Sequence, residues 1–362
     1  MMTLGILYSP DDPKSPLSPE SLEQYTAAGL DTMLETGHIH PWPGSWEDYE
    51  SISRKSRDSI LSNADILFSL NPLKADDIKK IKEGAILVSF FAPFQTEEHL
   101  QEIGGHPIQA FSMDMIPRTT LAQSMDVLSS MASLAGYKAV LMAAMELPQY
   151  FPMMMTAAGT IKAAKVVVLG AGVAGLQAIA TAKRLGAIVE ASDVRTSVKE
   201  EIESLGAKFI VVEGAQDDKD AGGYAVEQSE DFKQRQREEV ARRLQQADVV
   251  ICTAQVRGRK APVLIPETTV RKMKKGSIIV DLAASTGGNC ELTQNEATIT
   301  AHGVTIMGYS KLENKASTDA STLLSNNIAH FILHMIQDGQ IVIEPDNEIL
   351  NGAKVYPQSE NS

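Results

Sequence analysis

The sequence predicts an α/β chain of two doubly wound domains with parallel sheets, joined by long helices. Three observations carry this expectation. Short apolar runs alternate with polar helical stretches from Thr3 onward, the rhythm of parallel strands and crossover helices. The run Val166-Val167-Val168-Leu169-Gly170-Ala171-Gly172-Val173-Ala174-Gly175 sets a glycine turn between a strand and a helix. At 362 residues the chain is too long for one ordinary core and suits two.

Thr3 to Tyr8 reads as a first strand. Ser18 to Thr36 reads as a helix, with Ser18 as cap, Pro19 in the first turn, and Glu20 and Glu23 at the positive end. Ile66 to Leu70, Ala85 to Phe91 and Ile108 to Met113 are further strands. Leu121 to Met145, rich in Ala, Met and Leu, reads as one long helix packed between two domains. Tyr150 to Lys165, with Pro152, Gly159 and three consecutive methionines, reads as an arm or hairpin used between subunits. A second α/β series then runs through strands at Val166 to Leu169, Ile188 to Ala191, Lys208 to Val212, Asp248 to Thr253, Ser277 to Leu282 and Thr305 to Met307. A helix from Ser321 to Ile336 and short strands at Ile341 to Pro345 and Ala353 to Tyr356 close the chain. The expected domains are 1–138 with 316–362, discontinuous, and 139–315. Gly214 to Glu230 has glycines, many acids and no apolar period, the composition of a functional loop.

The bulk numbers narrow the function. A formal net charge of -13 argues against nucleic acid, whose phosphates most of the surface would repel. Cys252 and Cys290 both lie in apolar stretches and make no disulfide framework, which fits a reducing cytosol. The start lacks a basic segment and runs into Asp11 and Asp12, so no signal peptide is expected. No stretch reaches the ~18 to 20 uninterrupted apolar residues of a membrane span, so no direct insertion is expected. His38 and His40 lack a companion carboxylate or cysteine pattern, and no metal is expected.

The glycine run is G-x-G-x-x-G in the strand–turn–helix context that dinucleotide binding requires, and it makes the second domain Rossmann-like. Gly170 permits the tight turn, Gly172 lets backbone approach the pyrophosphate, and Gly175 lets the helix pack on the strand. The helix start offers free N–H groups and a positive dipole to the phosphates. Asp193 lies 18 positions beyond Gly175 in the sequence, at the end of the next strand. A carboxylate there accepts hydrogen bonds from a ribose 2′-hydroxyl and favours NAD over NADP. Arg195 stands against this, since an arginine serves a 2′-phosphate. The expected cofactor set is Gly170, Ala171, Gly172, Val173, Ala174, Gly175, Asp193, Val194, Arg195, Gly223, Thr253, Ala254, Asp281 and Asn289. Asp281 and Asn289 fall at a strand's C-terminal end, where α/β sheets place ligands.

Together with the stretch Asp114 to Tyr137 and the run Ile279 to Glu291, the glycine motif resembles the NAD(H)-binding alpha subunit (domain I) of proton-translocating NAD(P) transhydrogenases, relatives of alanine dehydrogenase. The family loop matches here as Pro117-Arg118-Thr119-Thr120-Leu121-Ala122-Gln123-Ser124-Met125-Asp126-Val127-Leu128-Ser129-Ser130. The resemblance implies that Arg118, Gln123, Asp126 and Ser129 or Ser130 surround the nicotinamide and its ribose. Gln123, Asp126 and Ser130 stand three or four apart, so they are expected to share one helix face. Gly222-Gly223-Tyr224-Ala225 matches the family's mobile loop, whose tyrosine closes over bound nucleotide. The nicotinamide is expected between Arg118 to Ser130 and the ends of the second-domain strands.

The chemistry separates a transhydrogenase from a dehydrogenase. An amino-acid dehydrogenase needs an acid/base and a cation for the substrate carboxylate. The alanine dehydrogenase relatives carry a lysine and a histidine where this chain reads Phe68-Ser69-Leu70-Asn71-Pro72 and Ser89-Phe90-Phe91-Ala92-Pro93. Hydride exchange between two nicotinamides needs only two rings held together with water excluded. With one clear glycine motif here, the resemblance implies NADP on a partner subunit. It also implies a Re/Si-specific reaction coupled to proton translocation, an NADP(H)-binding beta subunit, a membrane-spanning subunit and a homodimer. The chain would be cytoplasmic, peripheral on the inner membrane through its partners. The alternatives are an NAD-dependent amino- or keto-acid dehydrogenase and a non-enzymatic NAD(H)-binding regulatory subunit.

Overall fold

A computed structural model describes residues 2–42, 44–211 and 230–357. The chain divides into two compact units. One takes the residues up to Met131 with those from Ala316 on, and the other takes Ala132–Lys315.

The first unit is a seven-stranded sheet. Its order is Lys354–Tyr356, Gln109–Ser112, Ile86–Ser89, Ile66–Phe68, Met2–Ile6, Leu30–Glu35 and Ile52–Lys55. The first strand lies inside and the chain winds outward from it on both sides. All pairings are parallel except that of Lys354–Tyr356, which runs antiparallel along Gln109–Ser112. Alternate residues feed two apolar layers, as a strand's period of two requires. Leu4, Ile6, Ile66, Phe68, Val88 and Phe111 pack with Leu324, Ile328 and Phe331 of the helix Ser317–His334. Leu67, Leu87 and Ala110 face the other way, onto Ile60, Ile78 and Ile103.

Two expectations fail in this unit. The helix expected over Ser18 to Thr36 ends early. Ser18 does cap it, accepting the Ser21 N–H, but the helix is Pro19–Ala27 and Leu30–Glu35 is a strand. Gly29, at φ +79°, turns the chain out of the helix. The long helix expected from Leu121 is also broken. A 3-10 segment, Thr120–Met125, stops at Asp126, whose ψ of 86° is not helical, and a new helix runs Val127–Glu146.

That helix has 20 residues and is long and apolar enough by composition to cross a membrane, which the expectation of uninterrupted apolar runs missed. It carries Ser129, Ser130, Ser133 and Lys138. Its Ala135, Ala139, Val140 and Ala143 are buried in the core of the second unit.

The second unit repeats the winding. Its order is Lys208–Phe209, Ile188–Ser192, Lys165–Leu169, Val249–Cys252, Ile278–Asp281, Val304–Gly308 and Ala297–Ala301. Six strands are parallel. Ala297–Ala301 is an antiparallel edge that sequence reading missed. It is tied to Val304–Gly308 by His302 and Gly303, both at positive φ, as a two-residue hairpin turn requires. Met154–Thr156 and Gly159–Ile161 form a separate antiparallel hairpin with all six residues exposed. The chain is α/β with two parallel-dominated, doubly wound sheets.

Candidate functional site

The second unit's innermost strand, Lys165–Leu169, ends in the glycine turn. Gly170 sits at φ +95°, and its N–H donates to Ser192 O at 2.8 Å. A Cβ at Gly175 would run into the Gly170 carbonyl oxygen, so only glycine lets the helix Val173–Arg184 start this close to the strand. At Gly172 a Cβ would meet nothing within 4 Å, which leaves space for a ligand to reach the backbone. Gly172 caps the helix without a side chain, so the first-turn N–H groups face an anion site with the dipole behind them. Val173 and Val194 are exposed, and Ala171 is buried.

Asp193 follows the neighbouring strand Ile188–Ser192 and turns back onto this turn. Its Oδ2 accepts the Ala171 N–H at 2.7 Å. Arg195 pairs with the same carboxylate through Nε at 3.0 Å and Nη2 at 3.2 Å. Across the turn, Thr253 Oγ1 donates to Gly170 O at 3.0 Å, and a Cβ on Gly170 would press on that hydroxyl. The Ala254 N–H donates to Asn289 Oδ1 at 3.0 Å, and Asn289 Nδ2 returns bonds to Ala254 O and Pro262 O at 2.8 and 2.9 Å.

Asp281 and Asn289 are wholly buried. Asp281 accepts from the N–H groups of Ala283, Asn289 and Cys290 at 2.7 to 3.0 Å and from the Thr293 hydroxyl at 2.6 Å. Gly287 and Gly288, at φ +104° and +79°, bend the chain so that these donors converge. The two residues position the segment from Ala254 to Pro262; they do not present side chains to solvent. Burial beside Asp281 raises the Cys252 thiol well above its usual range, and burial pushes Cys290 up to about 11. Both cysteines are therefore thiols at neutral pH, not nucleophiles.

The other candidate residues belong to the first unit. Arg118 and Gln123 are exposed, on either side of Thr119 and the start of the 3-10 segment. Ala122 and Met125 anchor that segment in the core, and Asn327 Nδ2 holds Ser124 O at 2.7 Å. Asp126 and Ser129 come together, but not on one helix face with Gln123, because the helix type changes at Asp126. The Asp126 carboxylate accepts the Ser129 N–H at 2.9 Å and the Ser129 hydroxyl at 2.6 Å, which makes it the N-cap of Val127–Glu146. Ser130 Oγ donates to Asp126 O at 3.1 Å. Gly223 and Tyr224 lie outside the described residues.

Sequence reading missed Gly136, Pro262 and Thr293. A Cβ on Gly136 would strike the Ala174 carbonyl oxygen, so this glycine seats one helix against the start of another. A lone glycine inside an apolar helical run was the available signal. Among the described residues, no group of three or more His, Cys, Asp or Glu side chains forms a metal site.

Comparison with known proteins agrees with this arrangement. The family model "Alanine dehydrogenase/PNT, N-terminal domain" matches residues 9–135, and its C-terminal counterpart matches residues 139–360. An NAD(P) transhydrogenase alpha subunit of Rhodospirillum rubrum is 40% identical over 361 residues, 96% of this chain and 93% of that protein. The corresponding subunit of Rickettsia prowazekii is 43% identical over 307 residues, 83% and 80% of the two. The crystal structure of transhydrogenase from Sinorhizobium meliloti is 35% identical and covers 97% of each chain at a TM-score of 0.85. Matches that run through both units, at this identity, make the chain a member of the alanine dehydrogenase/PNT family, among its NAD(P) transhydrogenase alpha subunits.

Proposed function

We propose that this chain is the NAD(H)-binding catalytic subunit of a proton-translocating NAD(P) transhydrogenase. The observation that carries the reading is the turn Gly170–Gly175, with open space at Gly172, an uncapped helix start, and Asp193 folded back onto Ala171. Those groups fit a pyrophosphate and a ribose. Residues 139–315 would form the NAD(H) domain, and 1–138 with 316–362 a discontinuous second domain.

NADH supplies the hydride, and NADP⁺ on a partner subunit receives it. The residues of this chain bind and orient. Gln123 and Arg118, exposed on a segment that is itself anchored, suit an amide and a ribose or phosphate oxygen. Asp126 with Ser129 and Ser130 forms a preorganised polar cluster beside them. Tyr224 and Gly223 would close over the nucleotide. No general acid is required, and none is assigned. Asp193 selects NAD(H) over NADP(H).

The exposed hairpin Met154–Thr156 and Gly159–Ile161, with Met153 and Met155 largely uncovered, suits a homodimer contact. An NADP(H)-binding beta subunit and a membrane-spanning subunit complete the machine. They would hold this chain at the cytoplasmic face of the inner membrane, with hydride transfer coupled to proton flow and Re/Si specificity.

The test mixes the chain with an isolated NADP(H)-binding transhydrogenase domain and NADPH, and follows reduction of an NAD⁺ analogue. Transfer that requires both proteins is the expected result. Oxidation of a small amino or hydroxy acid by the chain alone would instead make it a free-standing dehydrogenase. Binding of NADH without transfer would make it a regulatory subunit.

A further inference from the structure

Asp193 stands where the proposed function seats the adenosine ribose, yet its carboxylate is already fully engaged. Oδ1 accepts the Arg195 backbone N–H at 2.9 Å and Arg195 Nε at 3.0 Å. Oδ2 accepts the Ala171 N–H at 2.7 Å and Arg195 Nη2 at 3.2 Å. Four donors match the four lone-pair sites of a carboxylate. The Asp193 side chain is 7% exposed and that of Arg195 30%. Arg195 Nη2 also reaches Ala171 O at 3.4 Å, so the guanidinium spans the carboxylate and the glycine turn.

The four donors differ in kind. Ala171 N and Arg195 N are backbone groups held by the turn and by the chain leaving the strand. Nε and Nη2 sit on a side chain that rotates away at small cost. A ribose 2′-hydroxyl therefore gains Asp193 by displacing the guanidinium. A 2′-phosphate has the opposite preference. It would be drawn to the guanidinium, whose planar donors suit phosphate oxygens, and repelled by the carboxylate beneath it.

We propose that Arg195 is a specificity latch, a 2′-phosphate ligand kept out of use by its bond to Asp193 and displaced by the 2′-hydroxyl of NAD(H). The inference rests on the NAD(H) reading of this turn. Asp193 and Arg195 then act as one device. The carboxylate selects the hydroxyl and also restrains the guanidinium that reaches the turn.

The test titrates the full chain with NADH and with NADPH, in the wild type, Asp193→Asn, Arg195→Ala and the double variant. Asn keeps the shape and an oxygen for the Ala171 N–H. Calorimetry gives the affinities, and melting curves verify folding. Loss of one charge-assisted bond and release of the guanidinium should raise NADPH affinity relative to NADH at least about tenfold in Asp193→Asn. Arg195→Ala should move the ratio the other way, with NADH bound as tightly as before or more so. The double variant should lose the NADPH gain. A gain that survives without Arg195, or equal weakening of both nucleotides in Arg195→Ala, overturns the latch while leaving the site intact. Failure of the wild type to bind NADH removes the site and the latch together. If Asp193→Asn does not fold, the Arg195→Ala ratio alone decides.

Discussion

The two units wind their sheets alike, but their central turns are finished in opposite ways. In the first unit the strand Met2–Ile6 leads into Tyr8, whose N–H donates to Glu35 Oε2 at 2.7 Å. Glu35 is paired with Arg57 at 2.9 Å, and Arg57 with Asp77 at 2.9 Å. The helix that follows, Pro19–Ala27, is capped by the Ser18 side chain in a closed capping box. In the second unit the strand Lys165–Leu169 leads into Gly170-Ala171-Gly172, and the helix has no side-chain cap. One turn satisfies its own N–H groups; the other leaves them for a ligand. A shared fold therefore says little about binding, which lives in the few residues that finish one turn.

Two glycines sharpen this contrast with the largest expected effect. A Cβ on Gly175 meets the Gly170 carbonyl oxygen, a backbone atom that cannot give way. Gly175→Val should abolish NADH binding and cost the second unit about 3 kcal/mol through overpacking. A Cβ on Gly5 meets Ile60 Cγ2 and the side chains of Ala64 and Leu67. Gly5→Ala should lower the stability of the first unit by a similar order and leave the NADH titration unchanged. Calorimetric binding and melting curves on both variants separate the two. NADH bound normally by a folded Gly175→Val protein would mean that the turn is not the site.

The same contrast explains what was readable in the sequence. The turn Gly170–Gly175 was legible because its information is local: an apolar strand, three spaced glycines, and an acid after the next strand. The strand Leu30–Glu35 was not, because its buried residues Leu30, Met33 and Leu34 are spaced three and four apart, the period of a helix. Only Gly29 marked the break. Asp281 and Asn289 were correctly placed at a strand end, but their inward direction depends on the left-handed Gly287 and Gly288, a tertiary matter. The break at Asp126 was visible in principle, since an acid three residues before a serine at a helix start is a capping pattern. The apolar run on both sides hid it.

A second way to separate the units is acid. His38 lies in the first unit, buried against Ser15, with Nε2 3.0 Å from the Ser15 hydroxyl. Burial, with the nearby His40 adding to it, lowers its pKa to about 4. The folded state thus prefers the neutral ring. Stability is complete above the unfolded pKa near 6.5 and falls as pH drops from there toward 4. The full loss is about 3 kcal/mol, taken from a shift of that size. Hydrogen exchange between about pH 7 and about pH 4.5 should show the strands around Met2–Ile6 loosening before those around Lys165–Leu169, and His38→Asn should flatten the difference. Equal loosening of both sheets would assign the acid response to groups other than His38.

The smallest effect concerns Asp126, which the structure uses as Ser18 is used and which the proposed function also needs. As a cap it accepts the Ser129 N–H and hydroxyl. Asp126→Ala should cost about 1 kcal/mol. Asn caps a helix about as well as Asp, so Asp126→Asn should restore most of that stability. A residue that only caps would then recover hydride transfer as well. A residue that also presents charge to the nicotinamide end of the nucleotide would not. The expected result is a folded Asp126→Asn protein that binds NADH yet transfers hydride slowly to its partner. Full transfer in that variant would reduce Asp126 to a cap and leave the polar contacts to Gln123 and Arg118, whose side chains are exposed around the same anchored segment.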